Sequence, residues 1–245
     1  MKFEHTSKKI LFLYDKQDKN NTDNLESGSI CLHMCNTNEP YSSEDASSYL
    51  SEEEYQYYGQ RKNPKRKREV FWSRIMAKLA VKDIAHLPEE EMESIHISKG
   101  HMQNPLVKGT HGQYQVSITH CPDYAGAVAY PEELLIGLDM EAIQPDKQEG
   151  IYEILTDRER RMCPEHMERE LYAMVLWTAK EALVKCLKLG LSVSFEIMQV
   201  SGLQKADPGF RSSFRYFPGL EAYTAVEEDI VYTIVYPNDV NFRKA

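Results

Sequence analysis

Apolar positions along the chain repeat with two different periods, and the change from one to the other marks out its elements. Leu171, Val175, Trp177, Ala182, Leu183, Cys186 and Leu187 recur at three- and four-residue steps, which predicts a long amphipathic helix with Gly190 as its stop. Val70, Ile75, Met76, Leu79 and Ala80 leave apolar stripes between basic positions and predict a second helix over about 65–86, with Pro64 in its first turn. Two capping boxes announce helix starts: Ser51 with Glu54, and Thr156 with Glu159. Short apolar or alternating runs predict strands at 10–14, 29–34, 95–97, 116–119, 125–130, 134–140, 192–195, 199–202, 222–225 and 230–235. Strands 125–130 and 134–140 read as a buried pair joined by a Pro131-Glu132-Glu133 turn. The polar, Asn/Asp-rich stretch before Asn24 reads as a loop or insert, and 36–48 as turn-rich. Helices and strands mix in the manner of an α+β protein, with two related halves dividing at 130/131.

Composition narrows the class. At 245 residues, 42% hydrophobic and 27% charged, the chain has the make-up of a globular protein with a real core. No apolar run nears the roughly 18–20 residues of a membrane helix, and 10–14 is too short for a signal-peptide core, so the expectation is a cytoplasmic protein without membrane contact. Five cysteines without a C-x-x-C pair argue against a disulfide framework and against a structural zinc site. A net charge of −9 excludes a general nucleic-acid binder. The charge is uneven, however, because Arg61, Lys62, Lys65, Arg66, Lys67 and Arg68 fall together. Such a run is a solvated face, a nucleic-acid or import patch, or a site for an anionic ligand.

Three stretches carry candidate chemistry. Asp139 and Glu141 stand two apart on a predicted strand, so both carboxylates share one face while Met140 takes the other. Close, half-buried carboxylates repel and need a proton or a cation. Mg²⁺, which handles phosphates, is held by such a pair plus substrate oxygens. Glu181 and Lys185 lie one helical turn apart, and alone would be an exposed pair worth about 0.3–0.5 kcal/mol. Ser117, Thr119 and His120 close a strand with hydroxyls and an imidazole able to bond phosphate oxygens.

In this order and separation, Ser117-Ile118-Thr119-His120, Gly137-Leu138-Asp139-Met140-Glu141 and Trp177-Thr178-Ala179-Lys180-Glu181-Ala182-Leu183-Val184-Lys185 with its Leu189-Gly190-Leu191 tail resemble the signature of the 4'-phosphopantetheinyl transferases, surfactin (Sfp) type. The family pattern reads S-I-S-H, G-I-D-I-E and W-[ST]-x-K-E-[AS]-x-x-K. The N-terminal half is similar too, with Leu50-Ser51-Glu52-Glu53-Glu54 opening a helix and Lys65-Arg66-Lys67-Arg68-Glu69 leading to Arg74 and Lys78. The resemblance implies a 4'-phosphopantetheinyl transferase-like fold, two similar α+β halves with pseudo-two-fold symmetry. Residues 1–130 would hold the coenzyme A and carrier contacts, and 131–245 the metal site and catalytic helix.

It also implies an activity. The phosphopantetheine arm of coenzyme A would pass to a serine of an acyl or peptidyl carrier protein, releasing 3',5'-ADP. Asp139, Glu141 and Glu181 would hold Mg²⁺, or Mn²⁺ in its place. Glu181, directly or through a water, would take the serine proton, and Lys185 would neutralise charge on the phosphoryl oxygens. Lys99, Thr119, His120 and Arg74 would contact coenzyme A, Arg74 and Lys78 having a structural pairing with nearby acids as the alternative. The basic run 61–68 would meet an acidic carrier, and the protein would act as a monomer. Glu159 stands where the family has a helix-start glutamate, but its capping box gives it a structural role. Departures from the pattern are Thr119 for the second Ser, a longer turn at 121–126, Asn104-Pro105 without the usual basic residue, and Glu54 and Tyr57 where relatives carry basic residues. The rivals are a carrier-binding relative without turnover and an unrelated Mg²⁺-dependent phosphotransferase, although no G-x-x-x-x-G-K-[ST] loop occurs.

Overall fold

The computed structural model describes residues 3–17, 25–100, 102–110, 112–143, 148–189, 194 and 196–245. Contacts divide the chain into two compact units, Met1–Leu134 with Val240–Ala245, and Leu135–Asp239. The first unit contains β1 (Ser7–Gln17), β2 (Leu25–Asn36), α1 (Ser43–Tyr49), α2 (Glu52–Gly59), α3 (Pro64–Ile84), β3 (His96–Lys99), β4 (Pro105–Lys108), β5 (Tyr114–Cys121) and β6 (Tyr124–Pro131). The second contains β7 (Gly137–Ala142), α4 (Gln148–Glu153), α5 (Asp157–Arg161), α6 (Arg169–Cys186), β8 (Val200–Lys205), β9 (Phe210–Phe214), β10 (Leu220–Glu227) and β11 (Ile230–Pro237). The last strand, β12 (Val240–Lys244), returns to the first unit and pairs antiparallel with β1. The sequence division at 130/131 had placed this segment in the second half.

In the first unit, the antiparallel sheet β12-β1-β2-β6-β5 carries α3 across β2, β6 and β5, while β3 and β4 form a separate ribbon. Pro64 occupies the first turn of α3, where its missing N–H costs nothing, and Asn63 caps it by accepting from the Lys65 N–H. Phe71, Trp72, Ile75 and Leu79 of α3 are buried in one core with Cys31, Ala125, Ala127 and Ala129 of the sheet. The small alanines of β6 let the large side chains of the helix seat against it. Ser51 and Glu54 form a complete capping box on α2. Glu54 also accepts from the Ile97 N–H of β3 and lies 3.0 Å from Lys78 Nζ, so this buried lysine is a structural partner.

In the second unit, α6 packs on β7, β11 and β10 of the antiparallel sheet β7-β11-β10-β9-β8. Thr178 Oγ1 on the buried face of α6 bonds Thr233 Oγ1 at 2.7 Å, which in turn bonds Thr224 Oγ1. This chain of hydroxyls ties helix to sheet with every polar atom satisfied. Thr156 and Glu159 form a complete capping box on α5.

The expected pairing of 125–130 with 134–140 is not what forms. β6 lies between β2 and β5, whereas β7 pairs with β11. Part of the stretch read as turns is helix α1, started by a capping box at Ser42 and Asp45. The expected stop at Gly190 lies outside the described residues, as does all but Ser194 of the strand expected at 192–195. Among the described residues, no helix is long and apolar enough to cross a membrane.

Candidate active site

Gly137 at the start of β7 explains how the strand reaches the helix so closely. A Cβ there would collide with the Ala182 carbonyl oxygen and lie 2.6 Å from the Cys186 backbone nitrogen, so only glycine permits this approach to α6. From Gly137 onward the pleat places Asp139 and Glu141 on one face. Lys185 Nζ bonds Asp139 Oδ1 at 2.7 Å, and Trp177 Nε1 donates to Glu141 Oε1 at 3.2 Å. Trp177, Glu181 and Lys185 recur every four residues, so one stripe of α6 supplies an indole donor, a carboxylate and an ammonium to the acids of β7.

The electrostatics show three carboxylates within one another's influence. Burial, helped by the Asp139 charge, pushes Glu141 up from 4.5 to about 7, against the pull of Trp177 and Lys185. Burial and then Asp139 also raise Glu181, which Lys185 partly offsets. A single lysine beside three acids leaves a deficit of positive charge, and all the acids offer oxygen. This donor set suits a hard divalent cation such as Mg²⁺. Lys185, which the sequence alone pairs with Glu181 on an exposed face, instead reaches across to Asp139. Trp177, which the sequence counts among the apolar positions of the helix, also shares a face with Glu181 at its four-residue offset and serves as a donor to Glu141.

Lys180 and Glu159 belong to the frame of this site. Their side chains are 1% and 0% exposed, with Nζ 2.8 Å from Glu159 Oε2. The same carboxylate accepts from Thr156 N and Oγ1 and from the Val200 N–H of β8. Glu159 is thereby a junction between α5, α6 and β8.

The first unit holds a pocket of about 420 Å³. Lys99, Arg74 and His120, grouped by the sequence, all line it, together with Arg61, Arg66 and Tyr57, which were not assigned there. Arg66 Nη1 lies 2.9 Å from His120 Nε2 and 2.7 Å from Glu69 Oε2. A guanidinium can only donate, so His120 Nε2 is the acceptor in this arrangement. Thr119 does not join His120: its side chain is 2% exposed, and strand alternation turns it away from the face on which Ile118 and His120 line the pocket.

Elsewhere in the first unit Cys31, His33 and Asp83 bring donor atoms within 4.8 Å of one another. Asp83 already bonds Lys9 Nζ at 2.7 Å and His33 Nε2 at 2.9 Å. Burial would raise its pKa, yet the bonds from His33 and Lys9 outweigh this and hold the carboxyl below the usual range. The group is an internally neutralised ion network, in contrast to the acids of β7 and α6.

Comparison with known proteins bears on the second unit. Residues 135–235 match the family model of the 4'-phosphopantetheinyl transferase superfamily. The matched stretch runs from just before β7 into β11 and so includes Asp139, Glu141, Trp177, Glu181 and Lys185. Proteins of the 4'-phosphopantetheinyl transferase superfamily are transferases that take coenzyme A as substrate and carrier proteins as partners. The match covers 101 residues and leaves the basic pocket of the first unit outside it. No curated protein matches the chain significantly.

Proposed function

We propose that this protein is a surfactin-type 4'-phosphopantetheinyl transferase, moving the phosphopantetheine arm of coenzyme A onto a serine of an acyl or peptidyl carrier protein, as a cytoplasmic monomer. The observation that carries the reading is the gathering of Asp139, Glu141, Glu181 and Lys185 on facing surfaces of β7 and α6, within the residues that match the superfamily. Asp139, Glu141 and Glu181 would hold Mg²⁺, or Mn²⁺, which supplies positive charge to the pyrophosphate of coenzyme A. Glu181 accepts the proton of the carrier serine, directly or through a water. The serine oxygen forms its bond to phosphorus as the bond to the leaving 3',5'-ADP breaks. Lys185 turns from Asp139 toward the phosphoryl oxygens, where stabilisation of this kind contributes about 2.7–4 kcal/mol.

The proposal extends to the first unit. Lys99, Arg74 and His120 take the nucleotide phosphates in the basic pocket, with Thr119, the neighbour of His120 on β5, as the fourth contact of the proposal. The basic run at the start of α3 meets the acidic carrier and speeds encounter for a protein of net charge −9.

The two halves are related copies on this reading. Their support is a shared polar circuit: a buried capping-box glutamate on a short helix, Glu54 or Glu159, pairs with a buried lysine of the long helix, Lys78 or Lys180, and accepts a strand N–H, from Ile97 or Val200. Strand neighbours also correspond, β2-β6-β5 in one unit with β7-β11-β10 in the other.

The test is intact-protein mass spectrometry of apo carrier proteins from fatty-acid, polyketide and non-ribosomal peptide systems, incubated with the protein, coenzyme A and Mg²⁺. An EDTA-sensitive gain of one phosphopantetheine arm is expected. Coenzyme A binding without transfer to any carrier would leave a carrier-binding relative and sink the enzymatic reading.

A further inference from the structure

We infer that Tyr57 is a positioning residue of the basic pocket, holding Arg61 and Lys99 against its ring so that both present their charge to a phosphate-bearing ligand. The inference rests on the proposed use of coenzyme A and names the residue that prepares its phosphate subsite. Tyr57 lies in the last turn of α2, Arg61 one turn further on, and Lys99 at the end of β3. The Arg61 guanidinium carbon sits 4.1 Å from the ring centroid, and Lys99 Nζ sits 3.8 Å from it. Both cations therefore lie within cation–π distance of the one ring. Arg61 Nε also donates to the Tyr57 carbonyl at 3.4 Å, which fixes the guanidinium from behind.

The pocket has a reason to need such a device. Among the described residues, Arg61, Arg66, Arg74 and Lys99 line it against the one carboxylate of Glu69, which Arg66 already bonds. Four cations at close quarters repel, and each drifts toward any competing acid. Lys99 has competing acids nearby: it also lines a smaller cavity of about 200 Å³ whose wall includes Glu53 and Glu54. Tyr57 lines both cavities, as do Arg74 and Lys99. Its ring attracts an ammonium by its quadrupole while carrying no net charge, so it restrains Lys99 without consuming its charge. A carboxylate in the same place would neutralise the subsite, and a lysine would add to the repulsion.

Arg74 adds a further cation to the pocket wall. Its side chain is 11% exposed, and its Nε has no hydrogen-bond partner, the nearest Glu54 oxygen lying 3.7 Å away. A buried guanidinium N–H left unmade is costly unless an acceptor arrives. Phosphate oxygens supply acceptors of the right charge, and two or more cations suit a dianionic phosphoryl group.

The test compares the full chain with Tyr57→Leu and Tyr57→Phe, using calorimetric titration with 3',5'-ADP and with coenzyme A, and KM and kcat for carrier modification. Tyr57→Leu keeps apolar bulk but loses the quadrupole, and should weaken 3',5'-ADP binding roughly tenfold with a matching rise in KM for coenzyme A. Its kcat at saturation should be unchanged, because the ring touches no reacting atom. Tyr57→Phe keeps the face and should restore binding to within about twofold. Tyr57→Leu binding within twofold of the unmodified protein, or Tyr57→Phe as weak as Tyr57→Leu, overturns the inference and leaves the functional reading standing. Unmodified protein that binds neither ligand sinks the coenzyme A reading and the inference together.

Discussion

Removing the amine of Lys180 asks whether Glu159 is part of the frame or part of the chemistry. The pair is buried on both sides, so Lys180→Met strands a carboxylate in the interior of the second unit. Breaking a buried pair from one side typically costs about 3–5 kcal/mol. Glu159 keeps three donors, Thr156 N at 2.9 Å, Thr156 Oγ1 at 2.9 Å and Val200 N at 2.9 Å, which hold the stranded charge in part. The expected loss therefore lies at the lower end, about 3 kcal/mol, still a large share of the roughly 5–15 kcal/mol that stabilises a domain. Adding Glu159→Gln removes the charge and leaves an amide oxygen for Val200, so the double variant should regain about 1 kcal/mol or more over Lys180→Met. Urea unfolding read by hydrogen exchange of peptides from α6 reports on the second unit by itself. Strictly additive losses would refute a coupled pair, and a Glu159→Gln protein of full stability without turnover would make Glu159 a base.

Three further expectations follow from the same geometry. Glu141 has its pKa raised from 4.5 to about 7, so the stability it contributes is present below pH 4.5, is lost as pH rises from 4.5 to 7, and stays lost above. Glu141→Gln should accordingly stabilise the metal-free protein at pH 8.5 by about 2 kcal/mol, after allowance for solvent, and by less at pH 5.5; thermal melts in EDTA with equal gains at both pH values would contradict this. Gly137→Ala forces β7 away from the Ala182 carbonyl and should cost about 1–3 kcal/mol while weakening Mg²⁺ binding, both measurable by melts with and without the ion. Glu181→Gln should fold as the unmodified protein does, judged by circular dichroism, yet fail to load a carrier in the mass assay; an active variant would remove Glu181 from the mechanism.

Local signals in the sequence were strong where the physics is local. Both capping boxes, Ser51 with Glu54 and Thr156 with Glu159, formed as the spacing predicts, and Pro64 opened α3. The shared face of Asp139 and Glu141 follows from period two alone. The sequence could not show what those acids meet, since Lys185 and Trp177 arrive from a helix about forty residues on. The β6–β7 hairpin does not form for a similar reason: β6 pairs with the strand before it and with the distant β2, and β7 pairs with the distant β11. β12 carried a legible alternation, with Val240 and Phe242 buried, and was passed over because it is short and terminal. The pleat places Thr119 and His120 on alternate faces of β5, as period two requires.

The buried lysines of the long helices act as rotational keys. Each residue along a helix turns its side chain by about 100°, so pinning one position fixes the heading of all the others. In α6 the pin at Lys180 aims Trp177, Glu181 and Lys185 at β7. In α3 the pin at Lys78 aims the residues at the same offsets, Ile75, Leu79 and Asp83, of which two are buried apolar groups. Lock and message are thus written in different letters of one helix, and the message can be rewritten while the lock stays shut. A helix keyed in this way keeps its stripe aimed at the sheet whatever residues the stripe carries.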